Sequence, residues 1–149
     1  MPTPNRQIFF ALALGIALAV VCAGVGAMLT PPAVLRWSVQ INDNEPLRAA
    51  FAMLGVRHLP LFLLAVALGN GIFTLLKSTS LGAIATVATP YILYVIGAGT
   101  MDSLSTGEPA LSWVAYDPAY FIWPHFVAVP AGLYAASRMV ARRTQRATK

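Results

Sequence analysis

The sequence predicts an all-α integral membrane protein, an up-and-down four-helix bundle that forms a single membrane domain. Three observations predict this class. Four apolar stretches fill most of the 149 residues, 58% of the residues are hydrophobic and only 10% are charged, and the mean hydropathy is +0.69. In soluble domains about a quarter of the residues are charged. The composition therefore places the chain in a bilayer.

The four apolar stretches have the lengths of membrane-spanning helices. We place the spans at about residues 8–29, 59–76, 81–99 and 120–140, near the roughly 20 residues that cross a hydrocarbon core. Prolines inside the third and fourth spans predict kinks and not breaks, because neighbouring helices, hydroxyls or water can satisfy the carbonyls that they free. The short link from Lys77 to Ser80 predicts that the second and third spans pair antiparallel.

The first span carries a stripe of small residues, one every four positions: Ala11, Gly15, Ala19, Ala23 and Ala27. Small stripes let helix backbones approach closely in lipid. The stripe therefore predicts packing within the monomer, or an interface with a second copy or another membrane protein.

A secretory signal is an alternative interpretation of the first span, with cleavage before Met28. Its roughly 22 apolar residues exceed the usual 7 to 15 of a signal core, so we expect a retained helix. Cys22, the only cysteine, is expected to be a buried small residue. A single cysteine excludes an intrachain disulfide and any multi-cysteine metal site.

Basic residues near span ends predict the orientation, since Lys and Arg are retained in the cytoplasm. With both termini cytoplasmic, the inner face holds most of them: Arg6, Lys77, Arg138, Arg142, Arg143, Arg146 and Lys149. The outer face holds Arg36, Arg48 and Arg57. The basic tail, residues 141–149, sets topology and meets anionic membrane lipids, so the net charge of +5 calls for no nucleic acid partner.

Residues 30–58 form an outer loop in this topology. Pro31 and Pro32 end the first helix, because proline donates no amide proton and restricts the residue before it. Asn44 is expected to cap the N-terminus of a following helical turn.

Four ionisable residues are predicted to gather at the outer face: Arg57, His58, Asp102 and His125. In an up-and-down bundle the start of the second helix, the end of the third and the start of the fourth meet there. An ion pair of Asp102 with Arg57 or a histidine would fix the topology. Ionisable residues at a membrane also raise a functional hypothesis, either a metal site or a site for a headgroup, quinone or other small ligand.

Asn70 is the strongly polar side chain deep in the second span. Such an amide either bridges helices by hydrogen bonding, with hydroxyls of the third span as partners, or lines a solute path. Bridging is the expected role.

At the start of the second span, Gly55, Val56, Arg57 and Leu59 resemble the signature of small bacterial four-helix membrane proteins of the DoxX-like grouping, in particular an uncharacterised branch. Further positions that match this branch are Pro31 or Pro32, Lys77, Asp102, His125 and Gly132. His58 stands where an acidic residue is usual, and Phe62 where a glycine is usual. The resemblance covers about residues 10–140 and implies the four-helix fold and the bacterial inner membrane. Some relatives are associated with quinone or thiol redox systems, so the resemblance implies an accessory redox role as one alternative.

Several catalytic and cofactor motifs are absent from the sequence: a phosphate loop with its lysine, a GxSxG turn, HExxH and CxxCH. We therefore expect a non-catalytic accessory or interaction protein without a cofactor. Two alternatives stay open. One is a small redox or metal-dependent membrane enzyme acting at the outer leaflet, and the other is an oligomeric solute carrier.

Overall fold

A computed structural model describes residues 4–29, 54–110 and 123–147, with side chains from residues 5, 55 and 126 onward in these segments. Four α-helices follow one another along the chain: α1 (Pro4–Leu29), α2 (Leu59–Leu76), α3 (Leu81–Ser105) and α4 (Trp123–Ala147). A π-helical turn, Leu54–His58, leads into α2. The described residues are 91% helical and contain no strand, which confirms the predicted all-α membrane bundle. The expectations for Pro31, Pro32 and Asn44 lie outside the described residues.

Three helical segments are long and apolar enough to cross a membrane: Asn5–Leu29, Gly55–Leu76 and Leu81–Ser105. α4 is not among them over its described residues. Its second half carries four arginines, including Arg138 and Arg146, which lower its hydropathy. The fourth crossing therefore stays a prediction.

The observed helix bounds follow the predicted spans with three extensions, the first being that α1 begins at Pro4 and not at residue 8. α2 begins and ends at the predicted residues, whereas α3 continues beyond residue 99 to Ser105. α4 continues to Ala147, so residues 141–147 of the predicted tail are helical. Pro90 and Pro130 lie inside α3 and α4, and both helices continue through them.

The link between α2 and α3 has a defined backbone at each end. Lys77 caps the C-terminus of α2 in the left-handed conformation, with φ 51° and ψ 28°. Ser80 caps the N-terminus of α3, where its Oγ accepts a hydrogen bond from the Ala83 N–H at 3.2 Å. Such a side-chain cap satisfies one of the amides that a helix start leaves without a partner.

The helices are arranged as two pairs, α1 with α3 and α2 with α4. Weaker contacts join α1 to α2 and α3 to α4, and α2 does not contact α3. The predicted pairing of the second and third spans is therefore wrong, and the link from Lys77 to Ser80 crosses the diagonal of the bundle. A short link fixes how far apart two helix ends lie and leaves open which helices pack side by side.

Glycines mark the closest contacts within each pair. A methyl group built on Gly15 of α1 would lie 2.6 Å from the Val87 carbonyl oxygen of α3. One built on Gly132 of α4 would lie 2.6 Å from the Phe62 carbonyl oxygen of α2, and one on Gly69 of α2 would lie 2.8 Å from the Ala136 methyl. Along α2 and α4 these contacts advance in the same direction, so the two helices run parallel.

The small-residue stripe of α1 is divided between core and surface. Ala11, Gly15 and Ala19 are buried inside the monomer, Ala23 is half-buried and Ala27 is exposed. The first three positions thus serve packing within the monomer, as one of the two interpretations expected. The core of the bundle also includes larger side chains that are almost fully buried: Leu18, Leu61, Phe73, Val87, Tyr91, Val129 and Leu133.

A cavity around Arg57

The π-helical turn positions Arg57 at the start of the second membrane helix. Gly55 and Val56 are exposed, whereas Arg57 is half-buried and His58 is 3% exposed. Pro60 follows in the first turn of α2, where its missing N–H costs no hydrogen bond. Short π-helical turns occur frequently at functional sites. The π-helical turn that contains Arg57 therefore makes this arginine a candidate site residue.

Arg57 lines a cavity of about 420 Å³ between α1, the π-helical turn, α2 and α3. Cys22 and Gly26 contribute from α1, and Leu61 from α2. Gly26 leaves room for the guanidinium, because a methyl group built on it would lie 3.8 Å from Arg57 Nε and 3.9 Å from Nη2. The cavity therefore exists because three helices meet around one cationic side chain.

One wall of the cavity is a long strip of α3, from Tyr91 to Asp102. At 1.5 Å per residue this strip is about 16 Å long. Tyr91 at its deep end is 2% exposed, whereas Tyr94 is 47% exposed and Asp102 is also exposed. The two tyrosine rings are tilted by 41° with centroids 6.3 Å apart. The cavity is thus elongated, aromatic at depth and acidic at its outer end.

The Nε atom of Arg57 is buried, and no group in the described part of the chain accepts a hydrogen bond from it. Leaving a buried donor without an acceptor costs about 1–3 kcal/mol. Most buried polar groups in proteins have partners, so an exception needs an explanation. Arg57 also lines the cavity, so a molecule bound there is one source of an acceptor for the guanidinium.

The structure brings two of the four predicted site residues together, since Arg57 and Asp102 line this cavity. They do so without forming the proposed ion pair, because Asp102 lies at the exposed end of the α3 strip. His58 is buried and is not among the residues that line the cavity. The side chain of His125 lies outside the described residues.

Asn70 does not bridge helices in the described structure. Its Nδ2 donates to the Val66 carbonyl oxygen of the same helix at 2.8 Å. Its Oδ1 is buried, and no described group donates to it. Two of the hydroxyls that were expected as partners, Thr86 and Thr89 of α3, bond their own helix instead. The expectation fails because α2 and α3 lie across the diagonal.

Sequence reasoning did not predict the cavity, and it did not place Cys22, Tyr91 or Tyr94 beside Arg57. Cys22 was correctly predicted as a buried residue and is 1% exposed, but its place beside Arg57 was not foreseen. Nothing in the spacing of Tyr91 and Tyr94 distinguishes a cavity wall from ordinary packing. Ala98 and Gly99, one to two turns later on α3, line the same cavity and leave space because their side chains are small.

Among residues 4–29, 54–110 and 123–147, no three side chains of the His, Cys, Asp and Glu types are grouped as a metal site. Comparisons with protein-family models, with curated proteins and with solved structures each find no match. The three apolar helices are compatible with a membrane protein and do not indicate its role.

Proposed function

We propose that this chain is a non-catalytic accessory protein of the bacterial inner membrane that binds a small lipophilic molecule in the Arg57 cavity. The ligand carries a carbonyl or carboxylate oxygen that accepts hydrogen bonds from the Arg57 guanidinium. Quinones and fatty acids are the corresponding chemical classes. The observation that carries the proposal is the buried Arg57 Nε without a described acceptor.

The shape of the cavity supports this class of ligand. Its volume of about 420 Å³ falls within the roughly 300–1,000 Å³ of small-molecule sites. Leu61, Val95 and Ala98 supply apolar contacts along its length, and the tyrosines supply aromatic faces. A long site with apolar contacts, aromatic faces and one fixed cation favours an elongated molecule with a polar head.

The energetics of Arg57 support a binding role over a structural one. An ionisable residue inside a membrane segment is expensive and marks a functional site by default. In the part of the chain that the structure describes, Arg57 forms no ion pair with Asp102, the acidic residue that lines the same cavity. The protein thus keeps a donor whose interactions improve when a ligand is bound.

The proposed location follows the charge distribution. Lys77 and the α4 arginines lie at the opposite end of the bundle from Arg57, and we assign their end to the cytoplasm. The Arg57 cavity then opens toward the outer leaflet. Membership in the DoxX-like grouping is part of the same proposal and is supported by the residues at the start of the second span.

Native mass spectrometry of the full chain released from lipid nanodiscs tests the proposal. The probes are decylubiquinone, which presents carbonyls, and decanoate, which presents a carboxylate. We compare the unchanged chain with Arg57→Met and with the control Arg138→Met, which makes the same change at an exposed site on α4. At least one probe should bind the unchanged chain and the control.

Arg57→Met should lower the affinity for that probe by at least about tenfold, because hydrogen bonds to charged groups contribute about 1.5–3 kcal/mol. It should also leave the ligand-free protein equally stable or up to about 3 kcal/mol more stable, since it removes an unsatisfied buried donor. Failure of both probes to bind the unchanged chain, or equal binding by Arg57→Met, overturns the proposal.

A redox enzyme is the second candidate, because the Cys22 thiol and Tyr91 line the same cavity as Arg57. Reduced decylubiquinone incubated with the full chain and oxygen distinguishes the two functions. If the chain is an accessory protein, the quinol is oxidised at the uncatalysed rate, as followed by its absorbance. A rate increase that Cys22→Ala abolishes assigns the enzyme.

A further inference from the structure

A second cavity of about 830 Å³ lies at the other end of the bundle, between the C-terminal parts of α2 and α4. Two cations line it, Lys77 at the end of α2 and Arg143 on α4. Ser78 and Thr79 add hydroxyl groups. No acidic side chain belongs to the residues that line this cavity in the described part of the chain. Its polar chemistry is therefore that of an anion site.

The inner wall of this cavity is apolar, with Phe73 and Val140 on its two helices. Lys77 follows directly after the apolar segment Gly55–Leu76. The cations thus lie at the end of a membrane span, at the level of lipid headgroups, while the apolar wall lies at the level of the acyl chains. Cations at the headgroup level and an apolar wall at the acyl-chain level match the two parts of a phospholipid. A free anion has no apolar part that could contact this wall.

The backbone at Lys77 is unusual as well. Lys77 has φ 51°, and it is the only residue other than glycine with a positive φ in the described part of the chain. Glycine is the common residue at such a helix C-terminus, because a side chain there is strained. Strained residues cluster where function requires them. At this strained position the chain has a lysine, whose cationic side chain lines the cavity.

We propose that this cavity binds the phosphate group of an anionic phospholipid in the cytoplasmic leaflet. Lys77 and Arg143 are the cationic contacts, and the hydroxyls of Ser78 and Thr79 donate hydrogen bonds. Val140, which packs over the buried Phe73 side of the cavity, contacts the first carbons of an acyl chain. The site is independent of the Arg57 cavity.

A structural role for the same cations gives a different result. Helix C-termini carry a partial negative charge, and α2 and α4 both end at this face, so Lys77 and Arg143 would stabilise the helices without any lipid. Replacing them would then lower stability equally in every lipid. The proposed site instead predicts a change that depends on the headgroup.

The test is native mass spectrometry of the full chain titrated with phosphatidylglycerol or phosphatidylcholine of identical acyl chains. The variant is Lys77→Gln with Arg143→Gln, and the control is Arg142→Gln with Arg146→Gln, two exposed α4 positions that do not line the cavity. Both pairs change the net charge by the same amount. The unchanged chain should prefer phosphatidylglycerol by roughly tenfold or more, since each basic residue contributes about fivefold.

The cavity variant should lose that preference, whereas the control should keep it within about twofold. An equal loss in both pairs identifies general charge attraction and overturns the proposal. Millimolar inorganic phosphate should leave the bound lipid in place, and displacement of the lipid by phosphate alone overturns the assignment to a phospholipid. Lys77→Gly guards against misfolding, because glycine suits the left-handed backbone. This variant should bind phosphatidylglycerol about fivefold less well while the thermal stability in detergent is kept.

Discussion

Replacing Gly132 by alanine should destabilise the bundle by about 0.5–2 kcal/mol. The added methyl group would lie 2.6 Å from the Phe62 carbonyl oxygen and 2.8 Å from the Ala65 methyl. The first distance is about 0.7 Å short of the closest ordinary carbon–oxygen contact, about 3.3 Å. Because the oxygen belongs to the backbone of α2, relief requires the two helices to move apart.

Two opposing effects set the magnitude of this loss. Overpacking a tight core costs about 1–3 kcal/mol. Alanine recovers about 0.5–1 kcal/mol over glycine inside a helix, which leaves the smaller net value. The assay is thermal unfolding in lipid nanodiscs, followed by circular dichroism at 222 nm, a conventional helix signal.

Gly71→Ala is the matched control, since Gly71 is exposed on α2 and a methyl group there would have no neighbour within 4 Å. It should leave the stability unchanged or raise it by up to about 1 kcal/mol. The melting temperature of the Gly132 variant should fall by about 2–4 °C for each kcal/mol lost. If Gly132→Ala and Gly71→Ala melt at the same temperature, the proposed contact between α2 and α4 is refuted.

Three further substitutions test other contacts in the same unfolding assay. Asn70→Leu should leave the stability unchanged or raise it by about 1 kcal/mol, because the amide oxygen has no described donor; a loss of about 0.6–2 kcal/mol would restore the interhelical bridge. Asp102→Asn should change the stability by less than about 0.5 kcal/mol, since Asp102 is exposed and unpaired with Arg57; a larger loss would indicate an ion pair. Ser80→Ala should cost about 1 kcal/mol by removing the N-cap of α3, and a cost no greater than that of the exposed Ser105→Ala would contradict this role.

The helices could be predicted from the sequence because an apolar run of about 20 residues has few alternatives in a bilayer. α2 matches its predicted bounds at both ends for this reason. The pairing of helices could not be predicted in the same way. Residues 77–80 reach about 13 Å when extended, and neighbouring helix axes lie about 8–10 Å apart, so the link can reach the diagonal as well as the adjacent position.

The candidate site was predictable only in part, for a similar reason. Arg57 was identified because a cation at the start of an apolar span is energetically conspicuous. Its cavity partners, Cys22 and Tyr91, are residues that normally fill a core, and nothing in their spacing distinguishes a wall from an interior. The proposed role for Arg57 with Asp102 assumed that residues at one end of a bundle meet. In the structure Arg57 and Asp102 line the same cavity without forming an ion pair.

The same glycine contacts that fix the fold also account for the position of both cavities. Helices that meet at small residues cross at about 20–40°, so their axes diverge by roughly 5–10 Å over the next 15 Å of helix. Such divergence predicts open space between α1 and α3 beyond Gly15, where the Arg57 cavity lies. It likewise predicts open space between α2 and α4 beyond Gly69 and Gly132, where the Lys77 cavity lies. Because α1 and α3 end at one face of the bundle and α2 and α4 at the other, each pair is expected to open at its own face of the bundle. Two parallel pairs joined antiparallel thus produce one cavity at each face, with no separate domain needed to build either.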